Sequence, residues 1–147
     1  MLEPILIGTL LVAVCVVIHA LGTSYWVGYL VKRHLGAGGR WRRKSDLWVL
    51  ISTAVVLLGL HLVEVMLWAL TYLWGVPAGQ LDSFEEAAYF SFVTFTTLGY
   101  GDITLSTEWR LLSGIEAFIG ILLVGWTTAL LFAVLQRSLL PGAGGKK

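Results

Sequence analysis

Histidine and carboxylate side chains set in apolar sequence are the first groups in this chain able to do chemistry. His61 and Glu64 stand at i and i+3, on one face of a helix, and His19 and Glu116 are the further candidates to join them. Imidazole and carboxylate make up the donor set of many divalent-metal sites. Such a site needs at least three ligands with outer support, and a helix-face histidine hydrogen-bonded to the neighbouring carboxylate explains the pair more simply. Glu64 and Glu116 also matter singly, because each lies inside a stretch long enough to cross a bilayer. An ionised carboxylate is costly in lipid, so each is expected to face protein and find a partner (Ser91, Thr94 or His61) or stay protonated. Ionisation of either one, by altering the packing around it, would make activity pH-dependent. The third group is Thr96-Thr97-Leu98-Gly99-Tyr100-Gly101-Asp102, a run of hydroxyls and glycine-interrupted backbone. Other motifs carry nothing. Cys15 is the only cysteine, so no disulfide or cysteine metal site forms within one chain, and it reads as a small apolar residue. Gly36, Gly38 and Gly39 have no following Gly-Lys-Ser/Thr and no preceding strand, which excludes a phosphate loop.

The elements that must position these residues are membrane helices. Of 147 residues, 57% are hydrophobic and 13% charged, about half the charge of a soluble domain. Three segments reach the ~20 residues that a bilayer core demands: about Ile5 to Val31, Leu47 to Trp74 after Ser45-Asp46 as N-cap candidates, and Trp109 to Leu139 before Pro141-Gly142. Trp26, Trp41, Trp48, Trp74 and Trp109 fall near their ends, and interfacial aromatic belts account for most of them. Between the second and third lies Leu81–Thr107, too short and too polar to cross. It opens on Asp82-Ser83 with Glu85 and Glu86 in a first turn, continues as a short helix through Phe95, and breaks at Thr96. A half-helix followed by glycine-interrupted extended backbone, flanked by full spans, predicts a re-entrant loop. Such backbone survives at membrane depth only where protein buries it or water meets it.

Charge sets the orientation. Lys32, Arg33, Arg40, Arg42, Arg43 and Lys44 share one short loop, and Arg137, Lys146 and Lys147 lie at the far end, which leaves Arg110 as the one other basic residue. The positive-inside rule puts that loop in the cytoplasm, the N-terminus outside and the C-terminus inside. Asp82, Glu85, Glu86, Asp102 and Glu108 then fall outside, as an acidic vestibule for cations. The expected organisation is a peripheral N-terminal helix (1–34), a basic cytoplasmic loop (35–46), a module of outer helix, short helix, loop and inner helix (47–140) and a cytoplasmic tail (141–147).

The run Thr96-Thr97-Leu98-Gly99-Tyr100-Gly101-Asp102 resembles the Thr-Thr-Val-Gly-Tyr-Gly-Asp signature of pore-loop tetrameric potassium channels. It sits in the same order of helix, short helix, signature and helix, over about Leu47 to Gln136. The resemblance implies an all-α membrane protein in a prokaryotic plasma membrane, a homotetramer with three further copies of itself, and passive K+ conduction rather than enzymatic activity. No cofactor is implied, with K+ as the permeant ion, and no nucleic acid is expected as a partner. The carbonyls of Thr97, Leu98, Gly99 and Tyr100, with the Thr97 hydroxyl innermost, would replace the ion's water shell. Gly99 and Gly101 would take the left-handed conformations that turn successive carbonyls to one side. Thr96, Gly101 and Asp102 would support this filter, and the Tyr100 ring would pack behind it. Two departures are visible. Leu98 replaces valine, and Val93 stands where some members carry a glutamate bonded to the outer aspartate.

On the third span, Leu122, Gly125, Ala129 and Ala133 are expected to face the pore axis. Gly120 and Gly125 are the hinge candidates, with close helix packing the simpler alternative; together with Glu64 and Glu116 they make up the gating candidates. No arginine repeat of a voltage sensor lies within a span. The basic loop offers a surface for anionic lipid, although setting the topology explains it more simply. The competing functions are a weakly selective cation channel and an accessory channel subunit.

Overall fold

The computed structural model describes residues 2–34, 46–77 and 79–139. Ser45, Trp41, the cluster Arg40, Arg42, Arg43 and Lys44, and the tail 141–147 lie outside the described residues, so the expectations placed on them are not addressed by it. Among the described residues there are four helices: α1 (Leu2–His34), α2 (Asp46–Gly75), α3 (Phe84–Phe95) and α4 (Arg110–Leu139). Three of them are long and apolar enough to cross a membrane, over Leu2–Arg33, Leu47–Gly75 and Arg110–Arg137. They overlap the predicted spans to within a few residues at each end, the usual uncertainty of a fraying terminus.

The short helix α3 starts where its side chains can satisfy the free N–H groups of a first turn. Ser83 is the N-cap, in extended backbone, and its Oγ accepts from the Glu86 N–H at 3.1 Å. The Glu86 carboxylate reaches back to accept from the Asp82 N–H at 2.9 Å, a reciprocal arrangement close to a capping box. One face of α3, comprising Ala87, Phe90, Ser91, Val93 and Phe95, is buried against α2 and α4. Phe90 meets Tyr72 of α2 edge-on, with ring centroids 4.9 Å apart. Trp68, Leu112, Ile119 and Leu123 continue this core. Trp109 belongs to it as well and is only 6% exposed, so it is a core residue rather than part of an interfacial belt; Trp48 and Trp74, in contrast, are exposed.

The expected peripheral helix α1 packs on both α2 and α4 and contributes two fully buried residues, Cys15 and His19. It approaches α2 at Gly22, where a Cβ would lie 2.6 Å from a Leu60 methyl. Gly120 permits a second close approach, because a Cβ there would overlap the Phe95 carbonyl at the end of α3. Of the two hinge candidates, Gly120 is therefore a packing glycine, and Gly125 has open space around it.

Both intramembrane carboxylates are fully buried and partnered. Glu116 of α4 accepts from the Tyr72 hydroxyl of α2 at 2.5 Å and contacts the Ser91 hydroxyl of α3 at 2.5 Å. The Ser91 oxygen also lies 2.9 Å from the Val65 carbonyl. These contacts are all satisfied when Glu116 carries its own proton, donates to Ser91, and lets Ser91 donate to Val65. Glu64 of α2 pairs with His61, as expected, and also with His19. Glu116 is therefore not part of the histidine group.

Substitution at these packed positions should separate shape from bonding. Glu116→Gln, which keeps shape and a donor, should leave thermal stability in detergent nearly unchanged, whereas Glu116→Ala, which strands the buried Tyr72 hydroxyl and removes the donor to Ser91, should cost about 1–3 kcal/mol. Gly120→Ala should weaken folding or assembly by about 1–3 kcal/mol through overpacking, and Gly125→Ala should not; equal melting temperatures for the two alanine variants would refute the assignment of Gly120.

Candidate functional site at the end of α3

The signature segment begins where α3 runs out of carbonyl acceptors for its own pattern. Thr96 is the C-cap, with its N–H donating to the Phe92 carbonyl at 3.1 Å. Thr97 N–H then donates to the Thr94 carbonyl at 2.9 Å, and Leu98 N–H donates to the Val93 carbonyl at 3.0 Å. This pair of bonds is a Schellman motif, which places its C′ residue in the left-handed region. The C′ residue is Thr97, at φ 59°. Glycine is usual there, and a β-branched residue is a genuine outlier, strained by about 1–2 kcal/mol. The motif holds it there, and the Thr96 hydroxyl adds a bond to the Phe92 carbonyl at 2.7 Å.

From Thr97 the pattern alternates. Gly99 (φ 55°) and Gly101 (φ 78°) are left-handed, as expected, so every second residue of the segment has positive φ. Gly99 N–H shares the Val93 carbonyl at 3.3 Å, tying the segment back to α3. Sequence reasoning found the two glycines and missed Thr97, because glycine is the signal for a left-handed residue and threonine is not. Leu98 and Tyr100 point away from this chain's own core and are 56% and 66% exposed. Leu98 is therefore not packed on its own α3.

Asp102 ends the segment with a brace the sequence did not announce. The Tyr89 hydroxyl of α3 donates to its Oδ2 at 2.7 Å. This bond holds the Asp102 carboxyl below the ordinary aspartate range and, from the other side, raises the Tyr89 hydroxyl above the ordinary tyrosine value. The brace absent at Val93 is thus supplied from one turn earlier on the same helix. Beyond Asp102, the Ser106 N–H donates to the Gln80 side chain at 2.7 Å and Leu105 is buried, which returns the chain to the start of α4. A groove of about 470 Å³ lies between the segment, α3 and the first turns of α4, lined by Tyr89, Val93, Thr97, Gly99, Asp102 and Ala117 among others.

On α4, the expected axial residues Leu122, Gly125, Ala129 and Ala133 are all exposed. Glu64 lies elsewhere, between His19 and His61 at 2.9 Å from each, and the His61 ring is 5.7 Å from that of Phe95, the last residue of α3.

The site is thus a short helix set between two apolar spans, ending in backbone of alternating handedness and an acidic residue. No curated protein and no solved structure matches the chain. Residues 47–137, more than half of it and covering α2, α3, the signature segment and nearly all of α4, match the ion channel family, and the chain belongs to that pore-loop channel family.

Proposed function

We propose that this chain is one quarter of a potassium-selective channel whose filter is Thr97–Gly101. The observation that carries this reading is the alternation of handedness at Thr97, Gly99 and Gly101. Alternating left- and right-handed residues turn successive carbonyls to the same side, and a row of carbonyls can replace the hydration shell of K+. Thr97, Leu98, Gly99 and Tyr100 supply those oxygens, and the Thr97 hydroxyl adds the innermost one. The C-terminal end of α3 directs its partial negative charge to the same place.

One such segment cannot enclose a pore, so the channel is a closed ring, and fourfold symmetry suits four identical strands. The exposure of Leu98 and Tyr100 supports this, because non-helical backbone at membrane depth needs protein or water around it that one chain alone does not provide. The Tyr100 ring packs behind the filter against a neighbouring copy. The stripe Leu122, Gly125, Ala129 and Ala133 faces the axis, with Gly125 as the point of bending. Lys32, Arg33 and Arg137 favour a cytoplasmic α1–α2 loop and α4 end, with the N-terminus outside. Glu116 is bonded to Ser91 of α3, so a change in its bonding alters the packing of the helix that carries the filter, whereas Glu64 acts through His19 and His61 on the packing of α1 against α2.

Reconstituted protein should show reversal potentials that follow the K+ gradient, and Gly99→Ala or Tyr100→Ala should abolish the preference. Equal Na+ permeability in the unmutated chain would sink the reading. In detergent the mass should correspond to four chains, and Glu3→Cys should react with impermeant reagent from outside.

The outer brace has a pH signature. A carboxylate held below its ordinary value contributes stability that is complete at neutral pH and is lost only as pH falls through the lowered value, below about 3.9. The raised Tyr89 hydroxyl keeps its proton past about pH 10, so the bond spans the physiological range. Tyr89→Phe should therefore move the acid midpoint of K+ conduction upward, toward the ordinary aspartate value. An unmoved midpoint would show that the brace does not support the filter.

A further inference from the structure

We propose that His19, His61 and Glu64 form a binding site for one divalent transition-metal ion of the Zn2+ class in each chain, with Thr127 as the shared outer partner of both imidazoles. Ligand atoms from the three residues lie within 4.8 Å of one another. His19 Nδ1 is 2.9 Å from Glu64 Oε1, and His61 Nδ1 is 2.9 Å from Glu64 Oε2. Two imidazoles and one carboxylate are the donor set of Zn2+ sites that keep a further position open for water.

Outer support is present too. Metal-bound histidines usually donate their second ring N–H to an oxygen that fixes tautomer and orientation. Here both far nitrogens converge on one hydroxyl of α4: His61 Nε2 lies 2.9 Å from Thr127 Oγ1, and His19 Nε2 lies 3.5 Å from it. One hydroxyl oxygen has two lone pairs, enough for two N–H donors. The rings are also held in place. They stack on each other with centroids 5.3 Å apart, Trp126 meets His19 edge-on, and Phe95 leans on His61.

Proton counting leaves room for a cation in the cluster. Two neutral imidazoles, one ionised carboxylate and one hydroxyl have three protons for four contacts, and they leave a net negative charge at a carboxylate with no exposure. With a metal ion on the Nδ1 side, each imidazole carries its proton on Nε2 and donates it to Thr127, and no contact lacks a proton. An added proton would also fill the shortfall, but one imidazole suffices to hold a proton beside Glu64. The second imidazole, turned to the same carboxylate and the same hydroxyl, completes a ligand set. The other titratable groups nearby do not join it: Cys15 lies one turn earlier on α1, and Glu116 is engaged with Tyr72 and Ser91.

The test uses the full chain in detergent, loaded with Zn2+, desalted and analysed for metal, with Co2+ as a spectroscopic substitute. About one Zn2+ per chain should be retained, and Co2+ should give visible d–d bands of a nitrogen–oxygen site. His19→Gln and Glu64→Gln should each weaken retention at least 10-fold, Thr127→Val should weaken it roughly 10–100-fold, and Cys15→Ala should leave it unchanged. Should a ligand variant fail to fold, X-ray absorption of the loaded unmutated chain decides: imidazole scattering supports the site, and its absence overturns it. Retention of less than a tenth of an ion per chain, or equal retention by the His19→Gln/His61→Gln double variant, overturns the proposal. So does a cluster that takes up only a proton, seen as pH-dependent stability with no metal bound. Metal retention is read without ion flux, so this outcome and that of the potassium reading are independent.

Discussion

Inside an apolar helix bundle a carboxyl group has no water to bond to, and the arrangement around Glu116 answers that constraint. Its partners come from two other helices, Tyr72 of α2 and Ser91 of α3, so one side chain of α4 fixes how deep the short helix sits between its neighbours. Glu64 does the same for a different trio, with His19 from α1, His61 on its own helix α2, and Thr127 of α4 closing the ring. The two carboxylates between them engage all four helices. Low local dielectric strengthens each of these bonds and makes a missing partner correspondingly costly. Apolar contacts in lipid discriminate poorly between helix registers, since lipid tails are as apolar as leucine. The polar nodes supply the discrimination.

Register at Ser91 then decides where α3 ends and how the backbone leaves it. Phe95 is the last helical residue, and the Schellman bonds at Val93 and Thr94 force the first left-handed residue onto Thr97. Gly99 and Gly101 extend that alternation without steric cost. The strain at Thr97 has a functional counterpart. Glycine would relax it but would remove the hydroxyl that the proposed filter uses.

Much of this was legible in the sequence, and for identifiable reasons. The spans announce themselves by length and hydropathy, and the start of α3 by Ser83 and Glu86, whose types fit a capped first turn. Glu64 and Glu116 stand out because charge is rare in a span. What could not be read is which helix faces which. Helical periodicity gives the face of a residue but not the register between helices, so Glu116 looked as available to the histidines as His19 did. Trp109 was misplaced for a similar reason: a terminal tryptophan suits a belt, and only tertiary packing shows it buried. Tyr89 left no trace because its partner Asp102 lies across the whole segment. Thr97 was missed because local rules assign left-handed backbone to glycine.

The contact between Gly120 and the Phe95 backbone has a mechanical consequence. With no side chain between them, the first turns of α4 and the end of α3 are in hard contact, and neither can tilt without displacing the other. The N-terminal part of α4 is therefore coupled by direct contact to the backbone that leads into the signature segment. Gly120 would then serve as a fulcrum, with the proposed bend of α4 on its C-terminal side. There Gly125 meets nothing, and the exposed stripe through Ala129 and Ala133 forms the longer arm of the lever. In the proposed channel a small rotation near Gly125 would be amplified at the far end of α4 and would leave the geometry at Thr97 in place.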